Sequence, residues 1–268
     1  MTLATIVGRY ARLTKLQVRM SAVTAMQYRG DFLVRGLLSV LGMSVTLLPL
    51  FIVFAARPNV AGWSFPEALV VVGWFTLLRA VLEGGVSPSL TAVVEHLRHG
   101  TLDFILLKPA DAQFLVSTAK MEPWHVVDVG GAVAIFAYAF SKLHRWPGPT
   151  DVLLGLVFLG LAVLVLYSFW ILVVSAAFWV VKVDNLSYLF QSLFDAARWP
   201  ITVFRGALAF VFTFVFPLAL MTTYPSLALL GKLHPTTALV ALAGGIAFAV
   251  AARGVWRRAL AMYTSASS

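Results

Sequence analysis

The sequence contains no cysteine in its 268 residues. That excludes a disulfide framework, a zinc–thiolate site and a thiol nucleophile. Charge is also scarce. Only 12% of residues are Asp, Glu, Lys or Arg, while 60% are hydrophobic, far from the balance of a soluble domain. A soluble fold of this length cannot bury so much apolar surface, because surface area falls too slowly with size. No Gly-x4-Gly-Lys-Ser/Thr loop occurs, so the chain does not itself cradle nucleotide phosphates in that manner. Neither a Gly-x-Ser-x-Gly elbow nor a His-Glu-x-x-His pair occurs, which removes two common frameworks for hydrolysis. The 5 histidines are scattered. His96 and His99 share a helix face beside Glu95, but a metal site needs a third or fourth converging ligand, and they read as interfacial polar residues. Residues 1–30 are polar and basic, so no cleavable leader is expected.

What the chain does have is long apolar runs, with a mean hydropathy of +0.90. A span of ~30 Å of hydrocarbon needs about 20 such residues. Six runs qualify: Gly36 to Ala56, Pro66 to Leu82, Pro123 to Phe140, Val152 to Val181, Trp199 to Phe216, and Thr236 to Ala252. The apolar stretch 217–231 is short and holds Pro217 and Pro225. Charge decides how to count it. With six spans and both termini cytoplasmic, fifteen of the 20 Lys and Arg lie inside. Only Arg57, Lys142, Arg145 and Lys232 lie outside, and Arg79 is within a span. This is the bias that cytoplasmic loops carry. A seventh span would put Arg253, Arg257 and Arg258 outside. Residues 217–231 therefore read as a re-entrant or interfacial pair on the outer side, extending to 235 as a segment.

The net charge of +9 is explained by this topology, and no nucleic-acid partner is expected. Trp63 and Trp146 fall at outer ends and Trp124, Trp179, Trp199 and Trp256 at inner ends, the headgroup level that Trp prefers. Trp74 and Trp170 are mid-span and read as packing residues. Residues 5–29 form a basic amphipathic helix, with Ile6, Tyr10, Leu13 and Met20 on one face and Arg9, Arg12, Lys15 and Arg19 on the next. It is expected to lie in the cytoplasmic interface of the lipid bilayer. Residues 183–198 suggest a second cytoplasmic helix. The expected fold is a single all-α polytopic membrane domain over 1–268.

Ionisable residues inside spans are functional suspects. Arg79 and Glu83 are spaced to pair on one helix face. Asp128 lies in the third span, facing the bundle interior or within reach of Arg79 or Arg205. The remaining polar concentration is the loop 84–122. Ser87-Pro88-Ser89 reads as a helix start and Gly100 as its stop. Lys108-Pro109 breaks a short apolar turn, and a new helix begins near Asp111. A short exposed helix of this kind suits docking of another protein, although a plain hairpin joining two spans has the same composition.

The run "EHLRHGTLDFILLKPADAQFLVSTAK" resembles a segment of exporter-type ABC-transporter permeases, through Glu95, Gly100, Thr101, Leu102, Asp103, Leu106, Pro109 and Lys120. "FPLALMTTYPSLALLG" and "WRRALAMYTSASS" are similar to the six-span, less-characterised branch of the same type-2 family. The resemblance implies a pair of permeases, identical or paralogous, above two separate ATPase subunits in the inner membrane of a prokaryote. ATP and magnesium would belong to those subunits, with no cofactor and no catalytic or metal residue in this chain. It implies an ATPase interface built from Ser89, Glu95, His96, Arg98, His99, Gly100, Thr101, Asp103, Lys108 and Pro109. The resemblance also implies an outer gate at Pro217, Tyr224 and Pro225; Arg79, Glu83, Asp128 and Arg205, as intramembrane charges, are candidates for gating, and Asp128 also for a substrate- or proton-related role. Rival readings are a secondary transporter or channel, which inverted repeats would favour, and a membrane enzyme, which a converging polar constellation would favour. Neither feature is evident.

Overall fold

A computed structural model describes residues 3–27, 29–179 and 184–262. The side chains of Ile6 and Leu186, all of Lys182, and the tail from Tyr263 lie outside the described residues. In hydrocarbon each backbone N–H and C=O must be satisfied within its own segment, so long apolar runs fold as helices. Among the described residues, five helices are long and apolar enough to cross a membrane: 30–56 within α2 (Arg29–Ala56), 65–98, 123–143, α8 (Pro149–Ala176) and α12 (Pro235–Ala261). The protein is an all-α polytopic membrane protein, preceded by α1 (Leu3–Gln27).

The bundle has two ends. At the hairpin end, a two-residue antiparallel ladder, β1 (Asn59–Val60) with β2 (Trp63–Ser64), joins α2 to α3 (Phe65–Val81). Helix α3 starts on a side-chain cap, with the Ser64 N–H donating to Glu67 Oε2 at 2.9 Å. Lys232, ahead of α12, pairs with the same Glu67 carboxylate. Arg145 lies 3.7 Å from Asp151 in the first turn of α8. The opposite end carries residues 99–122 and is called the loop end.

The expected helix start at Ser87-Pro88-Ser89 is absent. Helix α3 continues through a π turn (Leu82–Val86) directly into α4 (Ser87–Arg98). Proline inside a helix removes one N–H and frees the carbonyl four residues back. Here that carbonyl, Gly84 O, accepts from the Glu122 N–H at 2.7 Å, so the Pro88 defect is used to anchor the strand of chain entering α7 (Val126–Leu143). Helix α4 ends as the sequence suggests. Gly100 has φ +65°; its N–H bonds Leu97 O at 3.3 Å, and the Thr101 N–H bonds His96 O at 2.9 Å. This is the two-bond left-handed stop that favours glycine. Two short helices follow, α5 (Asp103–Leu106) and α6 (Ala112–Ser117), the second capped by Asp111, which accepts from the Phe114 N–H at 3.0 Å.

Helices α8 and α12 both start at the hairpin end and both run to the loop end. The intervening chain must therefore cross once more, and it does so earlier than the hydropathy implies. Helix α9 (Asp184–Phe194) buries Phe190 and Phe194. Phe190 stacks on Phe169 with centroids 4.6 Å apart, and Phe194 lies 5.2 Å from Phe75, mid-way along α3. Two short 3₁₀ turns (Asp195–Arg198 and Ile201–Val203) carry the chain on to the hairpin, where the Trp63 indole N–H donates to Thr202 Oγ at 3.0 Å. The stretch expected to be a cytoplasmic helix, 183–198, is thus the lower part of the fifth crossing. The expected span Trp199–Phe216 is not one helix.

After Gly206 the chain turns back. Helix α10 (Ala207–Phe210) and a π turn (Val211–Val215) descend to Phe216, whose ring is 4.9 Å from Phe169. A bend of 70° follows, and a second π turn (Ala219–Thr223) with α11 (Tyr224–Leu229) climbs again to the hairpin end. The pair is re-entrant, with its apex at Phe216–Pro217. Its first limb leaves Phe210 and Phe214 exposed, whereas residues 218–223 of the second limb are buried.

This path moves Arg205 to the hairpin end, and it is not among the inner charges. Trp199 likewise packs against the apolar cluster that holds Trp63 and Leu230. Arg198 sits within the crossing, its guanidinium 5.8 Å from the Phe75 ring centroid. Of the 20 Lys and Arg, Lys182 lies outside the described residues; among the described ones twelve remain at the loop end and five stand at the hairpin end, with Arg79 and Arg198 between.

Candidate functional site

Three polar features lie at the loop end. The first is the tip. Helix α4 is not held out from the bundle, because Ser89, Leu90 and Val93 are buried. Ser89, expected at a partner interface, instead fastens the loop: its hydroxyl donates to Lys120 O at 2.5 Å and accepts the Lys120 N–H at 3.0 Å. What projects is α5 and the turn after it. Phe104 is 70% and Leu107 81% exposed. Glu95, Arg98, His99, Lys108 and Pro109 are exposed around them. His96 and Thr101 are half-buried and joined by a 2.8 Å hydrogen bond across the Gly100 turn. Asp103 opens α5 in its first turn, where a carboxylate favours the helix N-terminus.

The second feature is a polar network that the sequence gave little sign of. Arg253, in the last turns of α12, donates to Gln113 Oε1 at 2.5 Å and to Asp111 Oδ2 at 2.8 Å. Gln113, buried, donates to the Tyr167 hydroxyl of α8 at 2.9 Å, and Ser117 meets the same hydroxyl at 2.7 Å. The Asp111 N–H donates to the Tyr10 hydroxyl of α1 at 3.1 Å, and Tyr10 packs edge-on against Phe114. Arg9 donates to Pro109 O at 2.5 Å. Three elements of distant sequence position, α1, α8 and α12, are thereby tied to the base of the tip. The hydrogen bond from the Arg253 guanidinium holds the Asp111 carboxyl below the usual carboxylate range. In α1, Tyr10 and Leu13 turn inward as the amphipathic reading expects, but Met20 is exposed.

The third feature is a cleft of about 590 Å³ between α2, the α3–α4 helix and the start of α7. The intramembrane charges meet there. Arg79 Nε lies 2.9 Å from Glu83 Oε1, the pairing that their spacing implies. Asp128 is buried and is held by His125 Nδ1 at 2.6 Å and by the Ser39 hydroxyl of α2. His125 Nε2 is 4.0 Å from Glu83 Oε2 and so bridges the two acids. Arg35 lies over the Trp124 ring at 4.5 Å. Burial pushes the Glu122 carboxyl above its ordinary range. Arg79, Glu83 and Asp128 therefore converge, and Arg205 does not join them. His125, three residues before Asp128, was open to detection by spacing. Ser39 and Glu122 were not, because only the packing of α2 and the Gly84 anchor bring them in. Among the described residues, no cluster of three or more His, Cys, Asp or Glu is arranged to hold a metal ion.

Away from the hairpin end, Pro217 lies at the apex of the re-entrant pair beside Phe216, while Tyr224 and buried Pro225 stand in the second limb that climbs back.

No curated protein and no solved structure matches the chain. Compared with known protein families, residues 40–267 match the ABC-2 family transporter proteins. This match runs from the middle of α2 past the end of α12 and takes in the tip and most of the network and the cleft, so the chain belongs to the ABC-2 family of transporter proteins, as a membrane permease of an ABC transporter.

Proposed function

We propose that this permease serves an ATP-driven exporter in the inner membrane of a prokaryote, working as one of two permeases above separate ATPase subunits. The observation that carries the reading is the tip. Phe104 and Leu107 are exposed at the loop end, past the last residue of the 65–98 helix, next to Arg98, His99 and Lys108. Large apolar side chains grouped in water call for a covering partner. The cation excess at the loop end supports a cytoplasmic position for the tip and for both termini, which is where ATP and its magnesium are handled.

In this reading the docking element is α5 with the 98–109 turn, not α4. ATP-driven closure of the ATPase pair displaces the tip. Its base passes the displacement to α1 through Arg9 and Tyr10, to α8 through Gln113 and Tyr167, and to α12 through Arg253. A two-state change needs contacts that differ between states, and the charged cleft and the Pro217 bend are the deformable places. Pro217, Tyr224 and Pro225 would shape the outer gate.

Affinity purification of the full-length protein from its native membranes tests this. A nucleotide-binding subunit should co-purify. The double variant Phe104→Asp, Leu107→Asp should lose it while remaining inserted and folded. Wild-type protein that purifies without such a subunit and still transports would sink the reading.

A further inference from the structure

The cleft between α2 and the α3–α4 helix has the plan of an amphiphile site. Its charged part is shallow. Arg35, Glu122 and Asp128 lie within about six residues of the loop-end termini of α2 and α7, hence ~9 Å or less along a helix, the depth of lipid headgroups; Arg79 reaches the same level through Glu83, whose Oε2 is 4.0 Å from His125 Nε2. Beside the charges stands Leu38, and toward the bilayer centre the lining is Gly42, Met43 and Phe75 with Thr46 and Thr76, whose hydroxyls are spent on the carbonyls of their own helices. The charges are of both signs and only partly used. Arg79 spends its Nε on Glu83. Among the described residues, neither its terminal nitrogens nor the Lys120 ammonium makes a hydrogen bond. On the acid side, Asp128 is satisfied by Ser39 and His125, whereas the Glu122 carboxylate has no hydrogen-bond donor among the described residues. The cleft thus offers unspent guanidinium and ammonium donors beside an unspent carboxylate. A simple anion would face Glu83, Glu95 and Glu122, and a simple cation would face Arg79 and Lys120.

We propose that the cleft binds a zwitterionic phospholipid carrying a primary amine, of the phosphatidylethanolamine type, drawn from the loop-end leaflet. Arg79 and Lys120 take the phosphate, Glu122 takes the ammonium, and the acyl chains lie along Leu38, Met43 and Phe75. The Arg35 guanidinium, stacked on Trp124 and bonded to Asp31 at 2.7 Å, fixes the wall that α2 contributes. The assignment does not rest on ATP coupling, so it stands or falls apart from the docking of the tip.

The test uses the delipidated full-length protein in neutral detergent, with bound lipid counted by native mass spectrometry. Dioleoyl phosphatidylethanolamine should be retained roughly tenfold better than dioleoyl phosphatidylglycerol, which lacks the amine, and better than phosphatidylcholine, whose methylated amine donates no hydrogen bond. Glu122→Gln should erase the preference for the amine, while Arg79→Gln should weaken all three lipids together. Should Arg79→Gln fold poorly, Lys120→Gln at an exposed position carries the same arm. Soluble glycerophosphoethanolamine should not displace the lipid. Equal retention of the three lipids, a preference unchanged by Glu122→Gln and Lys120→Gln, or displacement by the soluble headgroup would each overturn the assignment.

Discussion

Helices α2 and α3 stand side by side and meet opposite fates. The most apolar 18-residue stretch of α2 has a mean hydropathy of 2.4, yet only 11% of it is buried within the protein; the corresponding stretch of the 65–98 helix has 1.7 and is 67% buried. The more apolar helix is the less packed one. In a bilayer, lipid tails solvate Leu as well as another helix does, so hydrophobicity does not drive one span onto another. Close approach and polar satisfaction decide instead. Helix α3 sits at the centre because the second re-entrant limb, α7 and the Phe194 end of the fifth crossing all pack on it. Helix α2 is held at few points, among them Ser39 on Asp128, and so leaves the cleft open.

The contrast can be sharpened by adding the same bulk to each kind of helix. At Gly245 of α12, a Cβ would meet Leu161 Cδ1 of α8 at 2.5 Å, and Val165 at 3.3 Å; at Gly42 of α2 nothing lies within 4 Å. Gly245→Leu should lower stability by about 3 kcal/mol, since overpacking forces side chains and backbone out of place. Gly42→Leu should leave the melting temperature in detergent nearly unchanged. Equal melting temperatures for the two variants would mean that α12 and α8 do not meet as described.

The same distinction explains what could be read in advance. Long apolar runs and the cation bias are properties of segments, so the spans expected at 36–56, 66–82 and 123–140, the second limb of the bent pair within the re-entrant or interfacial stretch 217–231, and the Gly100 stop were legible. The fifth crossing was not. Its residues 184–203 are punctuated by Asp184, Asp195 and Arg198 and broken into 3₁₀ turns, and they resemble a surface helix until Phe190 and Phe194 are seen against Trp170 and Phe75. Conversely, the apolar limb 207–215 looks like a span but is a lipid-facing descent. Ser87-Pro88 misled for a related reason: proline signals a helix start only where its freed carbonyl has no other donor, and here the Glu122 N–H supplies one.

The loop-end network was hidden because Gln113, Tyr167 and Arg253 are single polar residues in three apolar settings. Arg253→Leu removes the guanidinium from Gln113 and Asp111 and should cost about 1–2 kcal/mol, the penalty for leaving a buried amide short of a partner. Arg257→Leu, one turn on at an exposed position, should be close to neutral. The pair distinguishes network from net charge, because both variants lose one cation. A thermal-shift difference between them below about 0.5 kcal/mol would put Arg253 among ordinary surface cations.

The smallest effect belongs to Glu122, at the mouth of the cleft, and it carries a sign. Burial raises this carboxyl despite Lys120, His125 and Arg35 nearby, with Glu83 adding to the rise. A carboxyl whose folded value is raised binds its proton more tightly in the fold than in the unfolded chain. Stability is therefore unpenalised at acid pH, falls as pH climbs from the ordinary carboxylate value through the raised one, and stays lower above it. Glu122→Gln keeps the shape and removes the charge. Its advantage over wild type should open across that interval and persist at neutral pH, at less than about 1 kcal/mol. Melting curves of both proteins at stepped pH measure it. If the variant were instead weaker at neutral pH, the carboxylate would be holding a cation of the cleft in place, and the open, loosely packed wall along α2 would be electrostatically closed rather than available to a ligand.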